Sequence, residues 1–437
     1  MARVGIPIEN KDDLRPHVVI VGAGFGGLWT AKALANAPVR VTVFDKNNYH
    51  TFLPLLYQVA AAELAPEQIV HPVRGILRHY KNVAFALAEV TAVNLEAKTI
   101  VAAGNEIAYD YLVLATGSVS HFFGMQGAAE HAFSLKTLEE GVALRNHILR
   151  CFELAMYEPD EAKRRGLLTF VVAGGGPTGV EYAGALSELI YGPMARDYPA
   201  MNMDEVRIVL VEGAGRLLTA MPEHLSAYAE ARVQKMRVEV LLDTMVTAVS
   251  ADKISFKEGA ELNTETVVWT AGVGGDALTQ SLGLALTRNG RLLVSPTLQL
   301  PVFPDVFAIG DIAGFKTEEG YLPMVAPVAT QQGTAVGKNI KHLIAGEPVV
   351  DFVYDDRGSM ATIGRNKAVA SIKGLNFSGY FAWIVWLVIH LMNLIGFRNR
   401  LTVLINWAWS YLFFDRVVRI ILPSTKDKDV EEPIEME

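Results

Sequence analysis

The sequence predicts an α/β protein with two Rossmann-like dinucleotide-binding domains, the second inserted in the first, plus an apolar helical C-terminal region. Three observations predict it. A Gly-x-Gly-x-x-Gly turn occurs twice, at residues 22–27 and 174–179, each time after an apolar run. Each turn is followed, one helix later, by a second apolar run that ends in an acid, Asp45 and Glu212. Residues 374–397 contain no Asp, Glu, Lys or Arg.

The first element set is HVVIVGAGFGGLWTAKALANAPVRVTVFDK, residues 17–46. Its continuous Val/Ile runs suit parallel strands covered on both faces. Gly22 permits the tight turn, Gly24 lets backbone N–H groups approach a pyrophosphate, and Gly27 lets helix and strand pack closely. The helix then presents its positive dipole end to the phosphates. Asp45 stands where a carboxylate bonds ribose hydroxyls.

The second set begins with TFVVAGGGPTGVEYAGALSELI at residue 169 and continues with VRIVLVEGAGR at 206. Gly174, Gly176 and Gly179 repeat the turn, and Glu212 repeats the acid. An acid here repels a 2′-phosphate, so NADH is favoured over NADPH, with Arg216 close enough to soften the preference. Residues 191–205 read as an insertion between helix and strand. Two such turns, each in strand–turn–helix context, are a far stronger signal than one.

Between the copies lie DYLVLATGS (110–118) and a polar helical stretch near 136–165. After the second come TVVWTAGVGG (266–275), VFPDVFAIGDIAG (302–314) and a helical pattern from about 326 to 345. The expected division is 1–130 and 293–350 for the first dinucleotide domain, 131–292 for the inserted one, and 351–437 for the C-terminal region.

Composition bounds the rest. At 437 residues, 51 % hydrophobic and 20 % charged, the chain is expected to build two or three domains with a sizeable core. A net charge of −8 argues against nucleic acid as main partner. The single cysteine, Cys151, rules out a disulfide framework or a four-Cys metal or Fe–S site, and is read as a small buried hydrophobe on a helix. There is no CxxC, so a redox dithiol is excluded, and no clustered ligand spacing, so no metal is expected. The ten histidines are scattered. The N-terminus MARVGIPIENKDDLRPH has no apolar core of a secretory signal, so the catalytic body is expected to stay on the side where it was made.

ATG at 115–117, TAGV at 270–273 and FAIGD at 307–311 resemble marks of the two-dinucleotide flavoprotein, disulfide-reductase-like superfamily. Within it the chain is similar to the type II NADH:quinone dehydrogenases, single-subunit and non-proton-pumping. The similarity runs through YHTFLPLLYQVA (49–60), GGGPTGVEYAGALSEL (174–189), VFAIGDIA (306–313), VAPVATQQG (325–333) and GFRNRLTVLINWAWSY (396–411). His50 lies in the first of these. The resemblance implies FAD at Gly22, Gly24, Gly27, Asp45 and Asp311, and NADH at Gly174, Gly176, Gly179 and Glu212, with Gly26, Lys46, Val90, Thr116, Gly117, Gly272 and Ala329 as further cofactor-binding residues.

It also implies two catalytic residues. The family's AQxAxQ pattern reads Ala326-Pro327-Val328-Ala329-Thr330-Gln331, with Pro327 a departure and Gln331 a match. Gln331 would meet the flavin edge or a quinone carbonyl, or else serve as a cap. Glu181 lies two residues after Gly179, where the family has a functional Glu; it would position nicotinamide and handle protons, unless it only complements the helix dipole.

The C-terminal region is read as membrane-docking. The run 374–397 is long enough to span. Yet Tyr380, Trp383, Trp386, Trp407, Trp409 and Tyr411 suit an interfacial depth, and Arg398, Arg400, Arg416 and Arg419 suit lipid phosphates. A buried helix pair or dimer interface is the alternative, and a homodimer is expected. The tail KDKDVEEPIEME is expected to be disordered. The expected location is peripheral, on the cytoplasmic face of the inner (cell) membrane. The partners are then NADH and a lipid-soluble quinone. A soluble NADH-dependent reductase of a small electron carrier, or an NADH-sensing flavoprotein, remain open beside this reading.

Overall fold

The computed structural model describes residues 13–413, 416 and 418–422. The expected disordered acidic tail and most of the N-terminal stretch read for a leader lie outside these residues. The chain divides into two compact units. One takes the described residues through Thr51 with Val70–His121 and Val273–Arg357; the other takes Phe52–Ile69, Phe122–Gly272 and the described residues from Gly358 onward.

The first unit is built on a six-stranded sheet. Its order is Gln299–Leu300, Phe303–Ala308, Tyr111–Leu114, His17–Val21, Arg40–Asp45 and Val83–Leu87, parallel except at the first pair. Both faces are covered, as its apolar runs require. Val18 and Ile20 enter one core with Leu28, Val336 and Ile340, while Val19 and Val21 enter another with Phe44, Leu292 and Ala308. Small residues let the helix Phe25–Ala33 approach the long helix Ala326–Ala345. A Cβ on Gly333 would stand 2.3 Å from Gly26 O, and one on Gly337 would stand 2.5 Å from the Ala33 Cβ.

The second unit repeats the plan. Its sheet is parallel, ordered Phe133–Ser134, Thr266–Trp269, Thr169–Ala173, Arg207–Val211 and Val238–Leu241. The stretch read as helical near 136–165 is two helices. Thr137 caps Leu138–Ala155 and Asp160 caps Glu161–Leu167. Cys151 is 1 % exposed, as the sequence implied. The helix Pro177–Leu189 runs on into a π turn, Ile190–Met194, where the insertion begins.

Several boundaries differ from the sequence division: Phe52–Ile69 and the residues from Phe122 to 130 belong to the second unit, and residues 351–357 to the first. Residues 273–292 pack with the first unit, because Val273–Gly274 pair with Val119–Ser120 and Leu292 enters the first unit's core. Residues after 358 are no separate body. Ser359–Thr362, Ala368–Ile372 and Leu375–Gly379 form an antiparallel sheet inside the second unit, and the helix Tyr380–Asn393 packs on it. The charge-free run therefore begins as a strand. The helix left to it has 14 residues, about 21 Å of rise. Among the described residues no helix is long and apolar enough to cross a membrane.

Candidate active site

In the first unit the turn after His17–Val21 has the geometry its glycines allow. Gly22 has φ +104°, and a Cβ there would stand 2.3 Å from Ala115 O; a Cβ on Gly27 would stand 1.8 Å from Gly22 O. At Gly24 a Cβ would meet nothing within 4 Å, which leaves open space at the helix N-terminus. Asp45 closes the site. Its Oδ2 accepts the Ala23 N–H at 2.7 Å and its Oδ1 the Asn47 N–H at 2.8 Å. Burial pushes its carboxyl up from the usual range, and these two donors oppose that.

Several of the other residues read as cofactor-binding gather at the same end of the sheet. Gly117 (φ +78°) follows Thr116 at the end of Tyr111–Leu114, and Ser118 Oγ donates to Asp311 Oδ2 at 2.5 Å. A Cβ on Gly26 would stand 3.0 Å from the Ile309 Cδ1, and one on Gly310 3.3 Å from the Ala329 Cβ. Lys46 points to solvent, and Val90 is a buried core residue packed with Phe44 and Ala308.

Orphaned polar atoms show that this end is built for a ligand. Thr116 Oγ1, His50 Nε2 and Gln332 Nε2 are buried without a hydrogen-bond partner among the described residues. His50 holds Ala23 O with Nδ1 at 3.1 Å and sits edge-on to Phe25, and burial lowers its pKa to about 4. The imidazole is therefore neutral, with one nitrogen left for a ligand. Gln332 Oε1 accepts the Gly310 N–H at 2.7 Å, which fixes the direction of its free amide group. An open pyrophosphate cradle, a ribose-side acid and these three atoms fit a flavin dinucleotide.

Gln331 has other work. Its Nε2 donates to Asp355 O and its Oε1 accepts the Asp355 N–H, both at 2.9 Å. The expectation of a catalytic amide at Gln331 is corrected accordingly: both ends of that amide are used to hold the chain after the long helix. Its neighbour Gln332, one position on in the QQ pair, is the fully buried one.

The second unit repeats the turn. Gly174 has φ +118°, and a Cβ there would stand 2.7 Å from the Ala271 Cα; Gly179 packs against Gly174 O, and at Gly176 a Cβ would meet open space. Gly272, half-buried, follows Ala271 directly. Glu212 accepts the Gly175 N–H (2.6 Å) and the Ala214 N–H (2.8 Å), the same arrangement as Asp45. Arg216 is spent on its own loop, donating to Met221 O, Thr219 O and Ser226 Oγ.

Glu181 turns away from that turn. Its Oε1 accepts the Thr362 N–H and the Trp386 Nε1–H, each at 3.2 Å. Burial raises its pKa to about 8, with those donors opposing the rise. At neutral pH most of this carboxyl is protonated. Thr362 Oγ1 and Tyr57 OH share a hydrogen bond of 2.9 Å. Gln58 Nε2 donates to Tyr57 OH (3.1 Å), and Trp407 Nε1 donates to Gln58 Oε1 (3.0 Å). Tyr57 and Gln58 lie in the family-like segment 49–60, but nothing in the sequence assigns them a task.

This chamber corrects the reading of the aromatic belt. Trp383, Trp386 and Trp407 are buried, and the first two line the chamber. Of the six aromatics, Tyr380 (59 % exposed) and Trp409 (49 %) face outward. Arg416 is buried too, bonded to Ala61 O, Ala185 O and Glu188, and Arg419 pairs with Asp197. Both guanidinium groups are held by protein acceptors and form no outward basic belt.

Two turns of this kind on two parallel sheets define a dinucleotide-dependent oxidoreductase. Residues 16–333 match the family model described as pyridine nucleotide-disulphide oxidoreductase, and residues 357–416 match the NDH2 C-terminal domain. Type II NADH:quinone oxidoreductase NdhA of Mycobacterium tuberculosis is 40 % identical over 91 % of this chain and 87 % of its own length. Type II NADH:quinone oxidoreductase of Staphylococcus aureus is 32 % identical over 84 % of this chain and 92 % of its own. The structure of NDH2 from Plasmodium falciparum in complex with NADH shares the fold, with TM-score 0.86 and 19 % identity over 94 % of this chain and 100 % of that one. The chain belongs to the type II NADH:quinone oxidoreductase family, an enzyme family whose dinucleotide cofactors are FAD and NADH.

Proposed function

We propose that the protein oxidises NADH and reduces a lipid-soluble quinone while docked on one face of a membrane. When bound, FAD supplies the centre that accepts a hydride from NADH and returns two electrons to the quinone. The chain's own residues do the rest. The Gly22–Gly27 turn and Asp45 hold one dinucleotide; the Gly174–Gly179 turn and Glu212 hold the other and disfavour a 2′-phosphate.

Glu181 carries this reading. It stands on the helix that opens at the second turn, yet its carboxyl is bonded to Thr362 and Trp386 of the C-terminal region. A carboxyl with a pKa of about 8 holds a proton at working pH and can release it, which quinone reduction consumes. Thr362, Tyr57 and Gln58 extend the hydrogen-bonded chain from it.

The outer face of the two C-terminal helices supports membrane docking. Phe381, Val388, Met392, Leu404, Leu412 and Phe413 are each half or more exposed, or nearly so. Arg398 is exposed beside them. The attachment is read as peripheral, on the cytoplasmic face, by a homodimer. The reaction is read as uncoupled from proton translocation; NADH-driven proton movement into sealed vesicles would contradict that part. Purified protein should reduce a short-chain quinone with NADH; NADH oxidation by ferricyanide alone, with no quinone turnover, would move the acceptor to a carrier protein.

A further inference from the structure

The wall of the Glu181 chamber has a second side. Glu188 and Arg365 line the chamber and also line a larger, open cavity of about 470 Å³. Its cations are Arg232, Lys235, Arg237, Arg365 and Arg416, and its one lining acid is Glu188. Arg416 is neutralised by Glu188 and Glu63, and Arg237 by Asp204 at 2.7 Å. Arg232 and Lys235 supply two further positive charges.

No acid among the described residues pairs with Arg232 or Lys235. Arg232 Nε is buried and has no acceptor among the described residues, although a guanidinium N–H taken out of water costs free energy unless it finds one. Arg232 and Lys235 are three apart in Glu223–Lys235 and so share a helix face. Arg365 and Arg416 come from two other segments. The π turn Ile190–Met194 also lines the cavity through Tyr191, Gly192 and Pro193, a geometry that widens a helix and recurs at ligand sites. At Gly192, on that turn, a Cβ would meet nothing within 4 Å.

We propose that this cavity is an anion site for a phosphate group, separate from both dinucleotide turns. Cations reaching in from three segments surround a tetrahedral oxyanion better than they would a planar carboxylate. The phosphate comes either from an anionic phospholipid headgroup or from a small phosphorylated solute. Because Glu188 and Arg365 belong to both cavities, an anion here bears on the chamber of Glu181.

The test is calorimetric titration of the holoenzyme, with NAD⁺ saturating so that the second turn is filled and ionic strength fixed with chloride. The probes are inorganic phosphate, monomeric dihexanoyl phosphatidylglycerol and the zwitterionic dihexanoyl phosphatidylcholine. Saturable binding is expected for phosphate, for phosphatidylglycerol, or for both. Arg232→Gln should weaken it about tenfold or more, and adding Lys235→Gln should weaken it further. Phosphatidylglycerol alone identifies the lipid source, and phosphate alone identifies the solute. NADH:ferricyanide turnover should be unchanged in both variants, which shows that they fold. Absence of saturable binding by either probe, equal binding of the two lipids, or full affinity in the double variant overturns the site. None of these readouts depends on quinone turnover, so failure here leaves the proposed reaction untouched.

Discussion

The Trp386 indole N–H donates to Glu181 Oε1 across 3.2 Å and so ties the helix of the second dinucleotide turn to the C-terminal region. Trp386 is fully buried and stacks on His390 with ring centroids 3.9 Å apart. Replacing it with Phe removes the donor and some packing. The change should cost about 1–3 kcal/mol of stability and push the Glu181 pKa further up. Quinone turnover should fall while ferricyanide turnover persists. Parallel loss of both would mean that Trp386 only holds the fold.

Glu181 gives a pH signature. Its folded pKa of about 8 is raised by burial, so the native state binds more protons than the unfolded chain between the ordinary carboxylate range and pH 8. Its contribution to stability is therefore whole at low pH and is lost as pH rises toward 8. Gln mimics the protonated form and keeps the acceptor for Thr362 and Trp386. In urea unfolding of the holoenzyme, Glu181→Gln should gain stability over the wild type as pH climbs from 5 to 8.5. Glu63, also raised by burial, titrates in both proteins and cancels in the comparison. A constant difference across that range would show that Glu181 is ionised throughout.

Glu212 should decide the nucleotide. Glu212→Ala frees the Gly175 and Ala214 N–H groups and removes the charge that repels a 2′-phosphate. KM for NADH should rise roughly tenfold, about 1.4 kcal/mol, and discrimination against NADPH should shrink. Unchanged constants for both nucleotides would take Glu212 out of the site.

Gln331 and Gln332 should separate. Gln332→Ala leaves the part-buried Gly310 N–H without its acceptor, so flavin retention through gel filtration should drop. Gln331→Ala breaks a backbone clasp on Asp355 and should leave flavin content near wild type. The reverse order of effects would restore Gln331 to the cofactor side.

Membrane docking is best tested on the outer face, because the buried face of the same helices lines the Glu181 chamber. Val388→Glu with Leu404→Glu changes two residues that are 55 % and 49 % exposed. Sedimentation with anionic vesicles should fall while ferricyanide turnover is retained. Undiminished vesicle binding would place the docking face elsewhere.

The two glycine turns and their acids were legible because each residue type answers a local demand. A positive φ at Gly22 and Gly174, or a close approach at Gly27 and Gly179, needs no knowledge of distant chain. The C-terminal region was legible only in composition. A charge-free run does not reveal that its first residues pair with Ala368–Ile372, nor that Trp386 seeks a carboxylate 205 residues away. Aromatic content alone cannot tell an outward Trp409 from an inward Trp407, since both lie on one helix and only tertiary packing assigns their sides. For the same reason Gln331 and Gln332, adjacent in sequence, went to different partners.

Anaerobic stopped-flow tests the central claim most directly. The protein with its flavin is mixed with NADH while the flavin absorbance is followed, and a short-chain quinone is then added. Fast bleaching with NADH and fast recovery with quinone, at rates that account for steady-state turnover, is the result expected. Bleaching without recovery would contradict the quinone as acceptor, and absence of bleaching would contradict NADH as donor.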